Sequence, residues 1–249
     1  MPKIAFNGVR KIFPNDSTSV VAIDRVDLTV RHDEFVSIVG PSGCGKSTLL
    51  YLLGGFIDLS GGEILVDEKP VAGPGPDRGI VFQHFALFPW LTVLGNVEFG
   101  LAEQGIAKAE RREIAQRHID MVKLTGFENT FPNRLSGGMQ QRVALARTLA
   151  CDPAVLLMDE PFGALDAQTR HILQEELLEI WSRQKKTVLF VTHDVREAVI
   201  LSERVLVMTA RPGRIKSVID TRIDRGGSSA AIDARAEHIW SILREELSP

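Results

Sequence analysis

Gly40-Pro41-Ser42-Gly43-Cys44-Gly45-Lys46-Ser47, with Thr48 behind them, carry the spacing G-x-x-x-x-G-K-[ST]. Such a loop wraps backbone N–H groups around phosphate oxygens, and the helix that follows adds its unpaired donors and favourable dipole. Lys46 is the group to hold the β- and γ-phosphates, and Ser47 offers a hydroxyl to Mg²⁺. Cys44 reads as an incidental loop residue rather than a redox switch. A second grouping is Val155-Leu156-Leu157-Met158-Asp159-Glu160, an apolar run closed by two acids. An acid at the carboxyl end of a strand, here Asp159, suits the magnesium shell, and Glu160 is placed to orient or deprotonate an attacking water. The phosphate loop alone leaves kinases, GTPases and motor ATPases open. The acid pair favours hydrolysis of ATP over phosphoryl transfer to a small substrate. A third grouping, Leu135-Ser136-Gly137-Gly138-Met139-Gln140-Gln141-Arg142, precedes a predicted helix, with Ser136 as its cap and the glycines leaving backbone N–H groups accessible to an anion.

These residues need a sheet to hold them. Phe35 to Val39 is a short apolar run that predicts a buried strand, and Lys46 to Leu53 predicts a helix ended by Gly54-Gly55, so the phosphate loop joins strand to helix. Val26, Leu28 and Val30 alternate with polar residues as in a half-exposed strand. Further strands are expected at Glu63 to Val66, Gly79 to Phe82, Val155 to Met158 and Val188 to Thr192, with turns at Gly61-Gly62 and Gly73 to Arg78. Ala115, Ile119 and Val122 recur at helical spacing, and residues 83–151 read as a mostly helical subdomain. Leu173, Leu177, Ile180 and Trp181 mark one helix face. A final amphipathic helix, centred on Ile239, Trp240 and Leu243, is expected within 226–249 after the turn at Gly226-Gly227-Ser228-Ser229. Alternating strands and helices imply an α/β fold with a mainly parallel core sheet.

Composition narrows the function classes. The 249 residues are 44% hydrophobic and 24% charged, enough apolar material for one large domain of residues 1–225 with a subdomain and the terminal helix. A formal charge of -3 offers no overall basic field for nucleic acid, so none is expected as a partner. Two cysteines, Cys44 and Cys151, fit neither a zinc spacing nor a disulfide framework and favour a reducing, cytosolic compartment. No uninterrupted stretch approaches the ~20 apolar residues of a membrane span, so work at a membrane would need a partner.

With Ser136-Gly137-Gly138 lying between the phosphate loop and the acid pair, the sequence resembles the ABC ATPase family, whose signature begins L-S-G-G. The resemblance extends to Gln83 as the glutamine loop, Ala164-Leu165-Asp166 as the loop after the second nucleotide motif, and His193 in Thr192-His193-Asp194 as the switch histidine. It implies a P-loop fold with an N-terminal antiparallel β-subdomain and a helical subdomain. It also implies ATP and Mg²⁺ as cofactors, and a head-to-tail pair of copies in which Ser136, Gly137 and Gly138 of one act on nucleotide held by the other. Gln83 would sense magnesium and water, Asp166 would communicate across the pair, and His193 would contact the γ-phosphate. Phe13 matches the adenine-stacking aromatic, for which a phenyl ring suffices, with core packing as the competing role. Met139 departs from the usual glutamine but leaves the serine and glycine donors in place.

In this family the region Gln83 to Trp90, here rich in aromatics, receives a coupling helix from a membrane permease; packing of the subdomain core is the alternative for Phe85, Phe88 and Trp90. Gly73 to Gln83, Pro89-Trp90 and Ala210-Arg211-Pro212-Gly213-Arg214-Ile215 look like the nitrate, sulfonate, taurine and bicarbonate branch of bacterial importers. Those systems join two ATPase subunits to two permease subunits and an extracytoplasmic binding protein, with the ATPase on the cytoplasmic face of the inner membrane. The cargo this implies is a small oxyanion or sulfonate, or another small solute. A soluble ABC protein of translation or repair is the rival from another class; such relatives carry two cassettes or a long coiled-coil insertion, and neither is present. An exporter motor would use the same chemistry, whereas a small-molecule kinase has no use for Ser136 or His193.

Overall fold

The computed structural model describes residues 1–14, 19–222 and 228–247. The predicted turn residues Gly226 and Gly227, and Ser248 and Pro249, lie outside them. In chain order, β1 (Ile4–Phe13), β2 (Val20–Val30), β3 (Phe35–Val39), α1 (Lys46–Gly54), β4 (Gly61–Val66) and β5 (Lys69–Pro70) come first. Then follow β6 (Arg78–Val81), α2 (Val93–Glu103), α3 (Lys108–Met121), α4 (Gly137–Ala150), β7 (Val155–Asp159) and α5 (Ala167–Arg183). The order ends with β8 (Thr187–Val191), α6 (Val195–Leu201), β9 (Arg204–Met208), β10 (Ile215–Asp220) and α7 (Ser229–Leu247). Contacts divide the chain into two units, Met1–Gly75 with Lys185–Pro249, and Pro76–Gln184.

The first unit contains an antiparallel sheet in the order β2-β1-β4-β5. On β2, Val26, Leu28 and Val30 are buried while Asp27 and Thr29 are exposed, so the alternation seen in the sequence is that of a sheet with one face covered. Beside it, β3 runs parallel to both β8 and β9, and β10 closes this side antiparallel to β9. Every residue of β3 and β8 is buried, which is why both are apolar apart from Ser37 and Thr187 and do not alternate. Each fully buried Val, Ile or Phe side chain of this kind contributes about 1.5–3 kcal/mol. The predicted glycine stop to α1 is a left-handed Gly55 at φ 74°, whose N–H bonds the Leu52 carbonyl while that of Phe56 bonds Tyr51.

Ala236, Ile239 and Leu243 of α7 are buried with Val195, Val199, Val205 and Val207, so the terminal helix covers α6 and β9 of its own unit. Trp240 departs from the expected face. It follows Ile239 by one residue, about 100° around the helix, and is 39% exposed.

In the second unit, β6 and β7 pair in parallel, with Val81 opposite Met158. Three α-helices, α2, α3 and α4, fall within the stretch expected to be helical. Ala115, Ile119 and Val122 are buried as their spacing implied, and Leu173, Leu177, Ile180 and Trp181 form the buried face of α5. Among the described residues no helix is long and apolar enough to cross a membrane.

Candidate functional site

In the first unit the phosphate loop leaves the carboxyl end of β3 and enters α1 at Lys46. Gly45 is the helix cap in the left-handed region, φ 108°, and Gly43 has φ 73°, backbone that residues with a Cβ adopt only under strain. At Gly45 space enforces the same choice, since a Cβ would stand 2.6 Å from Ile23 Cδ1 and 3.1 Å from the Ala22 carbonyl oxygen. Lys46 is only 7% exposed. Its ammonium donates to the carbonyls of Gly40 at 2.9 Å and Pro41 at 3.1 Å, folding back over the loop it serves. Pro41, Ser47 and Thr48 are half-buried and Ser42 is exposed.

Cys44 differs from the incidental residue expected. Its side chain is buried under Gly40, where an added Cβ would meet the sulfur at 2.8 Å, so the thiol fills the floor of the loop. Burial pushes the Cys44 thiol up from its ordinary value, against the pull of nearby Lys46, and keeps it protonated and unreactive.

His193 lies two residues beyond β8, the parallel neighbour of β3, with Ile38 opposite Val191. The Thr192 N–H donates to the Ile38 carbonyl at 3.2 Å. The phosphate loop and His193 thus leave the carboxyl ends of adjacent strands, the edge at which open α/β sheets bind ligands. His193 is exposed there.

The second unit has a parallel strand pair of its own, which carries further predicted residues. Val81 and Met158 are paired across β6 and β7, so Gln83 follows, and the acids Asp159 and Glu160 close, the carboxyl ends of these two neighbouring parallel strands. Asp159 is 3% exposed, whereas Glu160 is half-buried and Gln83 is exposed. Glu160 has φ 44°, an uncommon backbone for a residue with a long side chain. Such strain costs about 1–3 kcal/mol and concentrates where a side chain must be aimed.

Ser136 caps α4 as its sequence position implied, its hydroxyl accepting from the Met139 N–H at 3.3 Å. Helix α4 begins at Gly137, so the signature glycines are its first two residues and leave their N–H groups without intrahelical acceptors. Gly137 is exposed and Gly138 is buried. Asp166 caps α5 by accepting from the Thr169 N–H at 2.9 Å, a bond that holds its carboxyl below the usual range.

Phe13 ends β1 and is 38% exposed, which removes core packing as its role. The Lys11 ammonium sits 4.9 Å from its ring centroid, so one ring face is taken by a cation. Of the three aromatics after Gln83, Phe85 and Phe88 are half-buried while Trp90 is 70% exposed.

Sequence reasoning missed the two residues that shape this loop. Arg147 donates to the carbonyls of Ala86 at 2.6 Å and Phe85 at 3.0 Å, both residues having positive φ. Burial lowers the Arg147 guanidinium from its usual pKa, the cost of placing it under the loop. Asn96, fully buried, accepts from the Phe88 N–H at 2.8 Å and donates to the carbonyls of Phe88 and Leu91 at 3.1 Å. A polar Asn among the apolar residues of α2 was the available signal for it.

The sequence matches the family described as ABC transporter over residues 23–163. It is 51% identical to a nitrate import ATP-binding protein of Synechocystis sp. over 208 residues, 84% of this chain and 78% of that protein. It is 48% identical to a taurine import ATP-binding protein of Burkholderia thailandensis, covering 86% and 83% of the two. Among solved structures, a dimeric ATP-binding cassette in a post-hydrolysis state bound to ADP and Pi aligns with a TM-score of 0.79 at 35% identity, covering 88% of this chain and 99% of that one. With phosphate loop, signature and acid pair in the family's order and more than half the chain matched, this protein belongs to the ABC transporter family.

Proposed function

We propose that this chain hydrolyses ATP to power uptake of a small oxyanion or sulfonate through a separate membrane permease, working as a head-to-tail pair at the cytoplasmic face of the cell membrane. In this reading residues 1–225 form the ATPase domain, with a helical subdomain at about 83–151, and α7 closes it. The observation that carries the hydrolytic part is Glu160, held at positive φ directly after the buried Asp159 at the end of β7. The cargo class rests on the import roles named for relatives at 51% and 48% identity; the solute itself would touch only the permease and an extracytoplasmic binding protein.

Each group then has a defined task. The N–H groups from Gly43 to Thr48 and the Lys46 ammonium bind the phosphates and hold them against rotation, while Pro41 and Ser42 carry the loop around them. Phe13 stacks its free face on adenine. Lys46 gives up its bonds to the Gly40 and Pro41 carbonyls for phosphate oxygens, so the loop is self-satisfied before nucleotide arrives.

Mg²⁺ fits the residues present: a hydroxyl at Ser47, an amide at Gln83 and the buried carboxylate of Asp159 are hard oxygen donors. It would neutralise charge on the phosphates when bound. Glu160 accepts the proton of the attacking water at its carboxylate, and His193 donates a hydrogen bond to the γ-phosphate. Ser136, Gly137 and Gly138 of the second copy offer a hydroxyl and helix-start N–H groups to the same nucleotide, with Asp166 at the join between copies. Gln83 to Trp90 forms the permease contact.

Purifying Glu160→Gln protein from its native membranes with MgATP, and identifying its companions by mass spectrometry, tests this reading. A multispanning permease with an associated binding protein supports it. Recovery with only ribosomal, nucleic-acid-associated or other soluble partners would overturn the transport role while leaving the ATPase assignment standing.

A further inference from the structure

The turn between β9 and β10 was marked in the sequence by Ala210-Arg211-Pro212-Gly213-Arg214, and nothing in the reaction described above uses it. In the structure it grips the phosphate loop. Arg211 directs two guanidinium N–H groups, Nε at 3.2 Å and Nη2 at 3.1 Å, onto the single carbonyl oxygen of Gly43. Gly213 lies against the carbonyl of Cys44 so closely that no Cβ fits between them. The turn is itself anchored: the Gly213 N–H donates to Ala22 at 2.9 Å, its carbonyl accepts from Asp24 N–H at 3.0 Å, and Arg214 Nε bonds the Asp24 carboxylate at 3.1 Å. Asp24 and Ala22 belong to β2, so the turn spans from a sheet strand to the loop.

We propose that Arg211 is a positioning residue for ATP, acting through the peptide between Gly43 and Cys44. In a trans peptide the C=O and N–H point to opposite sides. Holding the Gly43 oxygen outward therefore holds the Cys44 N–H inward, where it now makes a long 3.3 Å bond to the Pro41 carbonyl that a phosphate oxygen can replace. Gly43, at φ 73°, has the conformational freedom to flip this peptide, and the arginine removes that freedom before nucleotide arrives. The role presupposes that the loop binds nucleotide phosphate, and it adds a specific residue to that site.

The test compares ATP hydrolysis by the full chain carrying Arg211→Gln, Arg211→Lys and Arg214→Gln. Arg211→Gln is expected to raise KM for ATP about tenfold, the scale of one charge-assisted hydrogen bond, with kcat reduced less than twofold. Arg211→Lys, which keeps a cationic donor, recovers most of the affinity. Arg214→Gln breaks the turn's ion pair to Asp24 without touching the loop and leaves KM near that of wild type. An unchanged KM in Arg211→Gln overturns the inference, and so does an equal rise in Arg214→Gln, which would assign the effect to turn integrity. A wild-type chain that neither binds nor hydrolyses ATP would overturn the nucleotide-site reading, and this inference with it.

Discussion

Gly138 in the first turn of α4 lies directly over Thr169 in the first turn of α5: a Cβ on the glycine would stand 2.6 Å from the threonine Cγ2. The signature glycine therefore has a packing duty besides any duty to ATP. Gly138→Ala is expected to destabilise the protein by about 1–3 kcal/mol, the usual cost of forcing an extra methyl into a close contact. Adding Thr169→Ser, which deletes Cγ2, should restore the melting temperature. ATPase activity that returns with stability would make the glycine a packing residue alone. Activity that stays low in the stable double variant would locate the deficit at the nucleotide.

Glu160→Gln keeps the size of the side chain and removes its basicity. ATP binding should be preserved while turnover falls by about 10²–10⁴, the contribution of a positioned general base. An ATP-dependent pair of chains should accumulate on gel filtration, because the step that separates them is blocked. Normal turnover in this variant would remove Glu160 from the role of base.

Much of this fold is written in local pattern. β3 and β7 are apolar apart from Ser37 and the closing Asp159 because every one of their residues is buried, and Ser136 before Gly137 is a cap whose position fixes where α4 begins. What stayed hidden depends on contacts between residues far apart in sequence. Arg211 reaches Gly43 across 168 positions, and Arg147 reaches Phe85 across 62. An arginine after a strand or on a helix has no periodicity that names its acceptor. Trp240 was misplaced for a different reason: an apolar stripe one residue too wide is indistinguishable, in sequence, from the Ala236, Ile239 and Leu243 stripe that packs.

The C-terminal helix bears on the same turn. Glu246 of α7 accepts from Lys216 at 2.6 Å and from the Ala210 N–H at 2.9 Å. The Lys216 bond first, and the Ala210 bond second, hold the Glu246 carboxyl below its ordinary value of 4.5. A depressed carboxylate contributes stability that is complete above that value and is lost as pH falls through the folded-state pKa. Glu246→Ala should lower the melting temperature by about 2–4 °C at neutral pH. The gap between wild type and variant should close as the pH drops below 4.5. A gap that stays constant across that range would show that Glu246 acts by packing and not by charge.

Trp90 and Phe88 divide the labour of the aromatic loop. Phe88 packs on Trp90 with ring centroids 5.6 Å apart and on Phe99 at 4.4 Å, lies under the Arg147 guanidinium at 5.6 Å, and has its backbone bonded on both sides by Asn96. Trp90 spends most of its surface on solvent, and Phe99, the other ring against Phe88, is 41% exposed. An exposed aromatic ring resting on a packed neighbour is the kind of side chain that anchors interfaces, and Trp90 on Phe88 is such a pair. Trp90→Ala should leave the melting temperature within about 1 °C and ATP hydrolysis by the free chain unaltered, as expected of an exposed position, yet reduce co-purification with the permease. Phe88→Ala should cost about 1–3 kcal/mol of stability because it removes the support itself. Undiminished permease recovery by Trp90→Ala would move the contact off this loop, whereas loss of stability in that variant would return Trp90 to the subdomain core.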